Sequence, residues 1–202
     1  MKSAAACAPS AQFFECLALP PQPWANGNGI TRTIARGGIS DGPEDDVHWR
    51  VSLATLSTSA DFSRFAGFDR TLLLVDEGTV NLHSQDGQLV ARRGQPVHFS
   101  GDLQIWSTLS TQPVNVLNVM TRRNACRASV SVLSHATAIA VAPVQLLIAL
   151  SGQWTARGAS LDTFALGPLQ GLVIEGGSEF IEVTADGAGA QLVSIDIASL
   201  SL

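Results

Sequence analysis

A chain of 202 residues that is 46% hydrophobic and only 14% charged has the composition of one large globular unit or two small ones, which excludes intrinsic disorder. Its net charge of −5 divides unevenly: residues 1–135 hold 11 acids and 11 bases, whereas residues 136–202 hold six acids and Arg157 as their base. With no surplus of cations, nucleic-acid binding driven by phosphate contacts is excluded, and with no run of about 20 apolar residues a membrane-spanning helix is excluded too.

At the N-terminus, Ala4-Ala5-Ala6-Cys7 has the look of a lipoprotein signal end, but Lys2 and Ser3 leave no room for the roughly 7 to 15 apolar residues that such a signal needs. A cytoplasmic protein is expected. Cys7, Cys16 and Cys126 are an odd number without CxxC spacing, so reduced thiols rather than disulfides or a zinc knuckle are predicted. Cys126 lies among Arg122, Arg123 and Arg127, whose charges favour a thiolate, but without a histidine partner in evidence it reads as a small core residue.

The stretch Trp24-Ala25-Asn26-Gly27-Asn28-Gly29-Ile30-Thr31-Arg32 combines turn-forming Asn and Gly with polar residues that begin an extended run. The acidic stretch Gly42-Pro43-Glu44-Asp45-Asp46 reads as a solvated loop. Strands are predicted at 49–56, 71–75, 114–120, 129–133, 144–150 and 191–197, each a short apolar or alternating run bounded by Gly, Asp, Pro or Ser. The period of 146–150 is too short to separate a strand from a buried helix. Asp86-Gly87 and Asp186-Gly187 are hairpin signals.

Alternation in Trp49-Arg50-Val51-Ser52 puts Arg50 and Ser52 on one face. Asn118, set among apolar neighbours, needs hydrogen-bond partners if buried, and so is either a pocket residue or a core polar group. The adjacent charges of Asp69-Arg70 are expected to fix local loop geometry. No His-x-His pair and no Gly-x-Ser-x-Gly elbow occur; His83 and His98 could face one another if their registers agreed, but with His48 and His135 they read as separate histidines. Neither a metal nor an organic cofactor is expected.

An internal repeat is visible. Leu72-Leu73-Leu74 followed by Gly78 recurs as Leu146-Leu147-Ile148 followed by Gly152, Gly94-Gln95-Pro96 finds a counterpart in Gly167-Pro168-Leu169, and the strand at 116–120 corresponds to 193–197. The order suits two antiparallel jelly rolls, one over 1–135 and a smaller one over 136–202, in an all-β chain. The first half holds every histidine and 11 of 12 bases, so chemistry is expected there. Eleven of those 12 bases in the chain are arginine, whose planar fork suits carboxylates better than lysine does.

Five collinear segments resemble the HutD/Ves family of bacterial bicupins: Trp24-x-Asn26-Gly27-x-Gly29-x-Thr31-Arg32-x-Ile34-Ala35, Trp49-Arg50-x-Ser52-x-Ala54, Phe62-Ser63-x-Phe65-x-Gly67-x-Asp69-Arg70, Phe99-x-Gly101-Asp102 and Asn118-Val119-Met120-Thr121-Arg122-Arg123. The chain departs from the family pattern at Ala25, Asn28, Thr33 and Val116. The resemblance implies a bicupin associated with histidine utilisation or stress response, with no established reaction. On that reading Asn26, Thr31, Arg32, Arg50, Ser52, Asn118 and Arg122 would hold a small carboxylate without turnover. Trp24, Gly27, Gly29, Trp49, Asp69, Arg70, Gly101 and Met120 would serve as framework. A metal-independent or weakly metal-binding cupin isomerase or hydrolase, and a dimerisation module acting as a homodimer, are the alternatives.

Overall fold

The computed structural model describes residues 10–38, 47–176 and 180–200; Cys7 and the acidic stretch 42–46 lie outside them. Among the described residues the regular elements are strands and one 3-10 turn, Cys16–Ala18, and no helix is long and apolar enough to cross a membrane. Two compact units form. One comprises Cys16–Ala128 and the C-terminal end, the other the N-terminal strand with Ser129–Ala198. The boundary expected at 135 thus falls at 128, and the first strand joins the second half.

The first unit is built on a six-stranded antiparallel sheet. Its members are β2 (Gln22–Pro23), β3 (Gly29–Gly38), β4 (Val47–Leu56), β6 (Phe68–Leu74), β9 (Val97–Ser100) and β11 (Val114–Arg122), in the order β2-β3-β4-β11-β6-β9. A four-stranded sheet faces it: β5 (Asp61–Phe62), β7 (Thr79–Ser84), β8 (Gly87–Arg92) and β10 (Ile105–Leu109), in the order β5-β10-β7-β8. Alternate residues of both sheets meet in one apolar cluster. Ala54, Leu56, Leu72, Leu74, Val114 and Val116 come from the larger sheet and Val80, Leu82, Ala91 and Ile105 from the smaller. The opposite face of β4 and β11 is buried as well, at Val51, Leu53, Leu117 and Val119, which is why these strands read as nearly continuous apolar runs. The Asp86-Gly87 signal is the β7–β8 hairpin, with Gly87 at φ +130°.

The second unit contains β1 (Ser10–Glu15), β13 (Thr137–Ala140), β14 (Val144–Gly158), β15 (Leu161–Leu166), β16 (Gln170–Glu175) and β17 (Phe180–Ser199), with β12 (Cys126–Leu133) leading into it. They form a single antiparallel sheet around the path β1-β16-β14-β17-β12. Residues 146–150 are strand. Asp186-Gly187 is not a hairpin turn: it lies inside β17, where Gly187 and Gly189 take positive φ opposite Gly152 of β14 and the register shifts between Ser151 and Gln153. The glycines make a bulge rather than a chain reversal, because the ladder resumes on the same partner beyond it. The bend brings both ends of β14 and β17 into one core, Leu147 and Leu192 with Trp154, Ala156 and Val183.

The first strand belongs here for a steric reason. It pairs with β16, Phe14 opposite Gly171, and a Cβ at 171 would lie 2.5 Å from Phe14 Cζ and 2.3 Å from the Leu147 carbonyl oxygen. Only a glycine leaves the Phe14 ring its place.

The sequence repeat has a counterpart in strand pairing. In the first unit Leu72 opposes Asn118 and Leu74 opposes Val116; in the second, Leu146 opposes Ile195 and Ile148 opposes Val193. Gly78, beyond the end of β6, and Gly152, inside β14, both have positive φ.

Candidate functional site

Strand alternation in the first unit aims three transverse rows of side chains at the interior. The deepest, Thr31–Ala54–Val116–Leu74, is largely apolar, the next is Thr33–Ser52–Asn118–Leu72, and the outermost is Arg36–Arg50–Met120–Arg70–Phe99. Arg70 therefore faces inward, in phase with Leu72 and Leu74, while its neighbour Asp69 faces outward. The two charges do not fix one loop together as expected from their adjacency.

A cavity of about 520 Å³ opens over these rows, within the range of small-molecule sites. Leu56, Ala54, Leu72 and Val116 make an apolar floor, and Arg50, Arg70, Ser52, Asn118 and Thr31 supply polar groups. Arg70 is 7% exposed. Its Nε and Nη2 donate to Asn118 Oδ1 at 3.3 and 3.1 Å and its Nη1 to the Ser63 carbonyl at 3.2 Å. The guanidinium also lies 5.1 to 5.4 Å from the ring centres of Phe99, Phe62 and Phe65. Burial, and then the nearby charge of Arg50, lower its pKa to about 10, so at neutral pH it remains a cation. Among the described residues no carboxylate lies within ion-pair distance of it. Asp61, exposed, lies at the cavity rim.

Arg50 sits beside it, 5.5 Å from the Phe65 ring centre, with Nη2 donating to Met120 Sδ at 3.5 Å. The glycine-rich turn shapes one wall. Gly27, at φ +72°, donates its N–H to the Trp24 carbonyl, and Asn26 Oδ1 accepts from the N–H of Asn28 at 3.0 Å. Gly29 is close-packed: a Cβ there would stand 2.7 Å from the Thr55 carbonyl oxygen and 3.2 Å from the Trp24 ring. The indole so placed donates from Nε1 to Thr31 Oγ1 at 2.8 Å and meets Phe62 edge-on.

Of the residues expected to bind a ligand, the fold brings Asn26, Thr31, Arg50, Ser52 and Asn118 to this cavity. Arg122 lines an adjoining one, its guanidinium 4.9 Å from the Phe68 ring centre. Arg32 does not join them. It opposes Leu53 on the other face of β3 and lines none of the cavities described here. Arg70, expected as framework, holds the most buried charge at the site, and its phase with Leu72 and Leu74 is the signal that places it. Trp49 packs over Gly37, where a Cβ would come 2.4 Å from the indole Nε1.

The loop carrying Phe65 is held from below. Asp102 Oδ1 accepts the Gly67 N–H at 2.8 Å, its Oδ2 accepts from Ser100 and from Arg123, and Arg123 also reaches Asp69 at 3.0 Å. Gly101 permits this approach, since a Cβ would lie 2.5 Å from the Phe65 carbonyl oxygen. The Gly67 N–H, then Arg123 and Ser100, hold the Asp102 pKa down to about 2. A carboxylate whose folded pKa is depressed stabilises the fold above its unfolded pKa and loses that contribution as pH falls through the folded value. Asp102→Asn is accordingly expected to be less stable than the parent at pH 7, with the gap closing between about pH 4 and pH 2. Urea midpoints of both proteins across that range measure it; a gap independent of pH would refute the assignment.

His83 and His98 lie in different sheets, bonded to Thr108 at 3.0 Å and Thr71 at 2.8 Å, so they do not face one another. No three His, Cys, Asp or Glu side chains gather as a metal site among the described residues. Cys16 and Cys126 are both buried. Burial pushes the Cys16 thiol up to about 12 and raises that of Cys126, against the thiolate favoured by neighbouring arginines.

A family model described as HutD matches residues 18–193. Protein Ves of Citrobacter koseri is 32% identical over 145 residues, which cover 71% of this chain and 74% of that protein. Among solved structures, HutD from Pseudomonas fluorescens superposes with a TM-score of 0.81 at 22% identity, covering 95% of this chain and all of that one. A cupin 2 conserved barrel domain protein from Leptotrichia buccalis superposes with a TM-score of 0.62 at 8% identity over 93% and 96% of the two chains, so the fold is cupin-like.

Proposed function

Since the chain belongs to the HutD family of cupin-fold proteins, we propose that its first unit binds a small carboxylate metabolite without turning it over, as a sensor serving histidine utilisation or a stress response. The observation that carries this reading is Arg70. Burying a guanidinium is costly unless an anion or a full set of acceptors meets it, and here the acceptors are one amide oxygen and one carbonyl. A carboxylate entering the cavity would supply the missing charge and accept paired hydrogen bonds from Arg50 and Arg70. Ser52, Thr31 and Asn118 would orient the remainder of the ligand over the apolar floor.

Thermal unfolding in the presence of urocanate, formiminoglutamate, glutamate and formate is the direct test. A ligand held at about 100 times its Kd adds about 2.7 kcal/mol to stability and raises the midpoint measurably. No shift with any of the four at millimolar concentration would overturn the reading.

A further inference from the structure

The inward face of the first unit grades in polarity, and its three central strands grade the same way. Along β4 the inward positions run Arg50, Ser52, Ala54 and Leu56; along β11 they run Met120, Asn118, Val116 and Val114; along β6 they run Arg70, Leu72 and Leu74. Because β11 is antiparallel to the other two, its order in sequence is reversed, and the gradient belongs to the assembled sheet. At the apolar end Leu74 and Val114 share one buried cluster with Val80, Leu82 and Ile105 of the facing sheet. Room for a ligand opens between the two ends, since β4 carries small side chains at Ser52 and Ala54 between the large ones of Arg50 and Leu56, and all four line the cavity. Trp24 and Phe62 add ring surface to its wall, and the Trp24 indole N–H already donates to Thr31.

From this grading we infer that the ligand of the cavity is an amphiphile, a monocarboxylate with a hydrocarbon body, aliphatic or aromatic, held by its carboxylate at Arg70 and with its far end over Ala54 and Val116. The inference rests on the carboxylate reading above for the charged end only; the body is chosen by the apolar floor. Arg70 donates from both Nε and Nη2 to Asn118 Oδ1, so its guanidinium leans over the row of Ser52 and Asn118. The row of Ala54 and Val116 lies two residues deeper, about 7 Å along the strands. That span takes a body of several carbons, and formate would leave it empty. A second charge on the body would be stripped of water between Thr31–Ala54–Val116–Leu74 and Thr33–Ser52–Asn118–Leu72, rows that hold no charged side chain to pair with it.

Isothermal titration of the whole chain with butyrate, hexanoate, hydrocinnamate, ε-aminocaproate and hexanol tests this. Each methylene taken out of water tightens binding by up to about fourfold, so hexanoate and hydrocinnamate are expected to bind about tenfold more tightly than butyrate. The heat-capacity change should grow more negative in step, while ε-aminocaproate, which is hexanoate with an ammonium at its far end, gains nothing over butyrate. Ala54→Leu fills the floor and Val116→Thr sets a hydroxyl in it; in each, with the parent's circular dichroism spectrum confirming the fold, the ratio of hexanoate to butyrate affinity should fall severalfold. Affinity that does not rise with the length of the body, or ε-aminocaproate bound as tightly as hexanoate, would overturn the hydrocarbon body and leave the carboxylate anchor standing. Hexanol bound as tightly as hexanoate would overturn the anchor. Absence of binding by every acid would overturn both this inference and the reading it rests on.

Discussion

Arg70→Met is expected to lower the affinity for a small carboxylate by about thirtyfold or more, the consequence of losing one side of a buried charge pair, typically about 2–5 kcal/mol. Methionine keeps an unbranched stem among Phe62, Phe65 and Phe99, so the aromatic surround keeps its packing. The effect on folding should be much smaller. Removing the guanidinium relieves the cost of burying a cation, while Asn118 Oδ1 loses two donors, about 1–3 kcal/mol in the opposite direction. Calorimetric titration gives the first quantity and urea unfolding the second. A variant that binds carboxylates like the parent would remove Arg70 from the site.

The largest loss of stability is expected from Trp154→Ala in the second unit. Trp154 is 1% exposed and packs with Leu147, Ala156, Leu166, Val183 and Leu192, so its removal leaves a cavity as well as losing burial, together about 3–5 kcal/mol. Its Nε1 donates to the Ser151 carbonyl at 3.2 Å, beside the bulge at Gly152. That bond pins the ring where β14 bends, and without it the two arms of β14 and β17 lose their common centre. Against a total stability of about 5–15 kcal/mol, the variant should unfold at clearly lower urea. A loss below about 1 kcal/mol would show that this core tolerates collapse around the missing ring.

The strands and much of the site were legible because burial leaves a period in the sequence. Arg50 and Ser52 share a face by simple alternation, and the structure puts both on the cavity wall. The same rule applied to Arg70-Thr71-Leu72 aims Arg70 at the core, and adjacency to Asp69 hid it: neighbouring charges suggest a local pair, while a strand sends them to opposite sides. Arg32 went astray through the converse step, since its neighbour Thr31 takes the inward position and Arg32 must point away. That Arg36 and Arg64 line the adjoining cavity with Arg122 is not legible in the strand pattern. The bulge between Thr33 and Ala35 shifts the phase of β3 before Arg36, and Arg64 comes from a loop, where no period operates. Nor could local pattern reveal that β1 crosses to the second unit, because the space for Phe14 is made by a glycine 157 positions later in the chain. Asp186-Gly187 misled for a related reason: an Asp-Gly pair specifies left-handed backbone, which a bulge within a long strand uses as readily as a reversal.

The matching strand pairs of the two units each carry a buried amide, in neighbouring rows and with different partners. Where the first unit has Arg70, Leu72 and Asn118, the corresponding places in the second hold Val144, Leu146 and Ile195, with Leu146 opposite Ile195 as Leu72 is opposite Asn118. Leu146 and Ile195 are fully buried but lie out of phase with the second unit's core, which takes Leu147, Ala149 and Leu192, and the buried amide of that ladder is Gln145, whose Nε2 donates to Ser194 Oγ at 2.9 Å and to the Ile195 carbonyl at 3.3 Å. There a buried amide is satisfied by a hydroxyl and a backbone carbonyl, with no charged group bonded to it. In the first unit the amide of Asn118 instead accepts from a buried guanidinium, in the half of the molecule that also holds the cavity.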